Sequence, residues 1–126
     1  MSNKVSLRIW GRDFLLEVDY DIFDDEFATQ EQIDTFDNFV SHPDWIEKAK
    51  DQVEKYCKKS VLSDDENMKK DNIFSYVKPD YLFVKNETKY HRVALMCKYR
   101  YDEEHGLAVV FDSEGKVTVG DQDIIL

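Results

Sequence analysis

The spacing of apolar residues changes period twice along the chain, and this constrains the fold more than any other feature. Val5, Leu7 and Ile9 alternate with Ser6, Arg8 and Trp10, and Phe14, Leu16, Val18 and Tyr20 alternate with Leu15, Glu17 and Asp19. A period of two puts successive side chains on opposite faces of a strand. Gly11-Arg12-Asp13 lies between the two runs, with a glycine that can take positive φ, so the opening reads as a β-hairpin.

From residue 29 the period lengthens to that of a helix. Thr29-Gln-Glu-Gln32 fits a capping box, and Ile33, Phe36, Phe39 and Val40 follow at helical spacing. Ser41-His-Pro43 ends this helix and opens a second, whose apolar stripe is Trp45, Ile46, Ala49, Val53, Tyr56 and Cys57. Ser63-Asp-Asp-Glu66 is another capping-box match, and Ile73, Phe74 and Val77 extend a third, short helix that Lys78-Pro79 stops.

From Tyr81 the period of two returns, predicting strands over residues 81–85, 90–101, 107–111 and 116–119. The longest of these puts Val93, Leu95, Cys97, Tyr99 and Tyr101 on one face and Arg92, Met96, Lys98 and Arg100 on the other. Strands joined by short turns pair antiparallel. The expected fold is therefore α+β: an antiparallel sheet from the N-terminal hairpin and about four C-terminal strands, with two or three helices between them packed on one face. The other face would be partly solvated. Residues 1–126 make one domain, since 42% hydrophobic residues in a chain of this length can fill a single core.

Charge is distributed unevenly. No Lys or Arg occurs between Arg12 and Lys48, while the same stretch holds twelve acidic residues, so the net charge of −10 is concentrated there. One reading is a negative surface on the hairpin and first helix that steers a basic protein partner, with Asp19, Asp21, Asp24, Asp25, Glu26, Glu31 and Asp34 as the partner-binding residues. The other is an acidic solubilising surface, with Glu17 and Asp19 facing Lys98 and Arg100 as cross-strand pairs.

Residues 19–25 superficially follow a calcium loop, but Phe23 occupies a ligand position and the glycine is missing, so an EF-hand is excluded. The two Cys and three His, at positions 42, 57, 91, 97 and 105, lack the close pair spacing of structural zinc sites. Cys57 and Cys97 both fall on apolar stripes and read as small core residues. No phosphate loop or nucleophile elbow occurs, so neither metal nor cofactor is expected.

The remaining candidate for chemistry is the turn Asp102-Glu-Glu-His-Gly106, where His105 beside Asp102 could act as an acid or base in a small enzyme or ligand-binding domain. The competing reading is a turn built for its backbone. Lys85, Lys89, Arg92, Lys98 and Arg100 with Tyr81 and Tyr90 could form a basic, aromatic face, but the net charge of −10 opposes nucleic-acid binding. No segment approaches the length of apolar chain that crosses a bilayer. The start Met1-Ser-Asn-Lys4 leads into a strand without an apolar leader, so a cytoplasmic protein with reduced thiols is expected.

Four segments, Val5-Ser-Leu-Arg-Ile-Trp-Gly-Arg-Asp13, Arg92-Val-Ala-Leu-Met-Cys97, Asp102-Glu-Glu-His-Gly-Leu-Ala-Val-Val-Phe111 and Gly120-Asp-Gln-Asp-Ile-Ile-Leu126, resemble an uncharacterised family of small acidic bacterial proteins. The similarity spans most of the chain. It implies an immunity protein that accompanies a toxin, and it assigns no catalytic residue to any position here.

Overall fold

The computed structural model describes residues 4–23, 26–60, 73–87 and 89–126. Six strands form one sheet: β1 (Lys4–Ile9), β2 (Arg12–Tyr20), β3 (Val77–Val84), β4 (Val93–Tyr99), β5 (Leu107–Phe111) and β6 (Val117–Gly120), lying side by side in sequence order. Two helices, α1 (Gln30–Val40) and α2 (Asp44–Ser60), separate β2 from β3. The α+β class is as expected, but the sheet is mixed: β2 and β3 run parallel, with Glu17 opposite Tyr81 and Tyr20 opposite Val84. Short turns impose antiparallel pairing only on the strands they join, and a connection containing two helices is long enough to return the chain for a parallel neighbour. The expected third helix falls largely on residues outside those described; of its described part, Ile73–Ser75 is a 3₁₀ turn, and Val77, with Lys78-Pro79 after it, belongs to β3 instead.

The hairpin turn is Trp10-Gly11, one residue earlier than the alternation suggests, because Ile9 pairs with Arg12. Both turn residues have positive φ, 48° at Trp10 and 90° at Gly11, as a two-residue type I′ turn requires. A tryptophan rarely adopts this conformation. Here the indole Nε1 donates to the Ile46 carbonyl at 2.9 Å and the Trp10 amide donates to Glu47 Oε1 at 2.9 Å, clamping the hairpin tip onto the first turn of α2.

α1 begins with the predicted capping box: the Gln32 amide donates to Thr29 Oγ1 and the Thr29 amide donates to Gln32 Oε1. Its Phe39 packs with Ile46, Ala49, Val53 and Cys57 of α2 over Leu82, Val84, Leu95, Tyr99, Val109 and Phe111 of the sheet. Removing each such large side chain from water contributes roughly 1.5–3 kcal/mol. Against the start of α2, the turn between β5 and β6 requires a glycine. Gly115 has φ of 85°, and a Cβ there would lie 2.5 Å from the Trp45 ring.

The helix-free face is less solvated than its alternation implies. Ala94, Met96, Ala108, Val110 and Phe83 are buried on it, and Ile125 from the C-terminal segment covers them. Met96, expected at the wet face, is fully buried. Lys98, two residues on, is exposed. β3 carries a bulge between Pro79 and Tyr81, and its pairing with β2 starts only at Tyr81. Pro79, which has no N–H to give, thus sits where β3 has β4 as its only partner. β2 and β3 diverge below this point, and Phe74 fills the gap with its ring 5.4 Å from Phe14 and 4.6 Å from the Arg12 guanidinium carbon.

Candidate partner-binding site

The acidic run is less unopposed than the gap between Arg12 and Lys48 suggests, because the fold brings cations from outside it. Asp13 pairs with Arg8 at 3.3 Å, Asp44 with Lys48 at 3.1 Å and Asp21 with Lys85 at 3.8 Å, while Glu47 is committed to the Trp10 amide. The run is also split between two faces. Glu17 and Asp19 project from the helix-free face of β2, where burial, then Asp21 and Glu17, push the Asp19 carboxyl above its ordinary value. Their expected partners Lys98 and Arg100 lie beyond β3, and the residues opposite are Lys4 for Glu17 and Phe83 for Asp19.

What remains, besides the exposed Asp37 further along α1, is the stretch of residues 21–34 at the end of β2 and the start of α1. Asp21 holds the entrance. Its amide donates to the Val84 carbonyl, and its side chain accepts from the Asn86 amide at 3.2 Å. The Glu26 amide donates to the Phe23 carbonyl at 2.9 Å. Asp24 and Asp25 lie outside the described residues. Glu31 and Asp34 are exposed on α1, where a carboxylate in the first turn is favoured by the helix dipole. Among the described residues no cation pairs with Glu26, Glu31 or Asp34.

The same stretch carries two large apolar side chains in water. Phe23 is 79% exposed and Phe27 is 92% exposed. The segment that bears them is anchored at Asp21 and at Thr29. Gln32, itself 1% exposed, donates from Nε2 to the Asp21 carbonyl at 3.1 Å and the Val84 carbonyl at 3.2 Å while accepting from the Thr29 amide. One buried amide therefore ties both ends of the 21–29 segment to the sheet.

Asp102 Oδ1 accepts from the His105 amide and lies 3.0 Å from His105 Nδ1, while the Gly106 amide donates to the Asp102 carbonyl. The His105 carbonyl in turn accepts from the Gln122 amide, and a Cβ on Gly106 would lie 2.7 Å from Gln122 Nε2. The turn thus seats the C-terminal segment, and both candidate side chains are more than a third exposed. Cys57 and Cys97 are buried and not joined in a disulfide, and burial pushes the Cys57 thiol up to about 11. Arg92, expected on a basic face, is paired with Glu87 at 2.7 Å. Among the described residues no three His, Cys, Asp or Glu are placed to hold a metal ion, and no helix is long and apolar enough to cross a membrane.

The family model described as Domain of unknown function (DUF6985) matches residues 1–126. The chain belongs to the DUF6985 family. No curated protein and no solved structure matches it.

In this DUF6985 domain the sequence reading found the carboxylates of the 21–34 stretch but not Phe23 and Phe27. The available signal was that neither aromatic fits the strand alternation ending at Tyr20 or the helical stripe beginning at Ile33. The His105 turn gives a separate expectation. Asp102, through its hydrogen bond and then its charge, raises the His105 pKa above the ordinary 6.5. The pair's small stabilisation is therefore complete below the ordinary value and lost as pH rises through the raised one. An NMR titration should give His105 a midpoint above the ordinary value, and Asp102→Asn should lower it. An unshifted midpoint would show that the contact is not populated.

Proposed function

We propose that this DUF6985 domain is a non-enzymatic protein-binding module of the cytoplasm, immunity-like in role, whose 21–34 segment engages a basic partner such as a toxin. The observation that carries this reading is the exposure of Phe23 and Phe27 beside Glu26, Glu31 and Asp34, which have no cation partner among the described residues. Exposed aromatics in a charged surround are what an interface needs: rings that fill apolar pockets in the partner, and a rim of charge that steers association and excludes wrong partners. A merely solubilising surface accounts for the carboxylates but not for the two rings.

The test uses a basic protein that co-purifies with the domain from its source cell and is then prepared separately. Phe23→Ala and Phe27→Ala should each weaken its binding by about thirtyfold or more while leaving the melting temperature unchanged. Charge reversal at Glu31 and Asp34 should slow association and flatten its dependence on salt. Full affinity in the Phe23→Ala, Phe27→Ala double variant would refute the reading.

A further inference from the structure

A cleft of about 550 Å³ opens where β3 begins and β4 ends, lined by Ser75, Tyr76, Lys78, Lys98, Arg100 and Glu103 among others. Its size falls in the range of small-molecule sites, roughly 300–1,000 Å³. It is far in chain position and fold from the 21–34 segment, and it carries the opposite charge.

Lys78 and Lys98 stand directly opposite each other across the antiparallel β3–β4 pair. Like charges at this position repel and weaken the sheet. A chain with net charge −10 has carboxylates to spare. Even so, among the described residues none pairs with Lys78, Lys98 or Arg100. Among the described residues the cleft thus sets three cations against one carboxylate, Glu103.

The walls are fixed around them. The Arg100 amide donates to the Tyr76 carbonyl at 2.9 Å, joining the two sides of the cleft, and the Arg100 guanidinium carbon lies 5.8 Å from the Tyr101 ring centre. β2 does not pair with β3 before Tyr81, so among the described residues the Lys78 backbone has β4 as its only strand partner. The Tyr76 ring is 6% exposed, and burial pushes its hydroxyl up to about 12, so it remains a proton donor at any physiological pH.

We infer that this cleft binds a small phosphorylated anion through Lys78, Lys98 and Arg100. Charge balance selects the ligand class: three cations against Glu103 leave a formal surplus of two, and a phosphomonoester carries about −1.5 to −2 near neutral pH. A single carboxylate or chloride would leave the lysine repulsion largely uncompensated. Lysine meets phosphate as a point charge and arginine as a planar fork, so the mixed set surrounds the oxygens from several directions. Glu103 would accept from a hydroxyl on the organic part of the ligand.

The test is a ¹⁵N–¹H titration of the whole domain with inorganic phosphate, ribose 5-phosphate and adenosine 5′-monophosphate, at constant ionic strength. Saturable shifts are expected at the amides of residues 75–78 and 98–103. Lys78→Ala and Lys98→Ala should each weaken the midpoint about tenfold, and Phe23→Ala should leave it unchanged. A tighter midpoint for either monoester than for phosphate would identify the organic group that Glu103 reads; equal midpoints would place all recognition in the phosphate. Lys98→Thr should raise the melting temperature by a few degrees as the repulsion is relieved. Linear shifts reproduced by sodium chloride would overturn the inference. So would response of these amides to an oligonucleotide or anionic vesicle alone, or a loss of stability in Lys98→Thr.

Discussion

Trp10→Ala is expected to lower the unfolding free energy by about 3–5 kcal/mol, the loss typical of a large aromatic removed from a core. The indole is 7% exposed and lies tilted against Phe74, with ring centres 6.0 Å apart. Its Nε1–H donates to the Ile46 carbonyl, and removing it loses that buried bond. The backbone gains nothing to offset this, since alanine is no better suited than tryptophan to a φ of 48°. Trp10→Phe separates the two parts: it keeps a ring against Phe74 but loses the Nε1 bond, and should lose about 1–2 kcal/mol. Urea unfolding measures both, and an alanine variant within 1 kcal/mol of the parent would show that the hairpin tip is not clamped to α2.

Gln32→Leu is the second large effect, at about 2–4 kcal/mol. Leucine matches the volume but satisfies none of three partners: the Asp21 carbonyl, the Val84 carbonyl and the Thr29 amide. Val84 keeps one donor, the Asp21 amide, so the loss falls most heavily on the Asp21 carbonyl and on the cap of α1. The consequence reaches the proposed binding segment, because the same amide holds both of its ends. Hydrogen exchange should therefore speed up at residues 21–32 well beyond the global change, and partner affinity should fall although no contacting side chain has been altered. Uniform acceleration across the whole sheet would instead mean that Gln32 is only another core residue.

These two residues show what the sequence revealed and what it hid. The capping role of Gln32 is legible from Thr29-Gln-Glu-Gln32 because both partners are three residues apart. Its bonds to Asp21 and Val84 are not, since Val84 lies 52 residues away. Trp10 read as the end of a strand because alternation continues through it; only the pairing of Ile9 with Arg12 moves it into the turn. Periodicity identified both helices and, within a few residues, all six strands, because burial on one face imposes the pattern locally. It could not reveal that β2 and β3 are parallel neighbours, for a strand's own sequence carries little information about the direction of the strand beside it. The same gap misplaced Glu17 and Asp19 against Lys98 and Arg100. For the site, the carboxylates were legible as a run, whereas their division between two faces and their capture by Arg8, Lys48 and Lys85 depend on tertiary pairing.

The parallel seam has a consequence for the order in which the domain assembles. β3 to β6 form a meander in which every pairing closes a short loop, while joining the hairpin to it requires closing the long excursion through both helices. Closing that excursion costs more chain entropy, so the meander is expected to form first and the β2–β3 seam to zip last. The bond from the Asp21 amide to the Val84 carbonyl sits at the end of that seam, beside Phe23 and Phe27. A partner seated on the 21–34 segment would hold together the contacts that form latest in folding, and so would slow unfolding of the domain far more than it would speed folding.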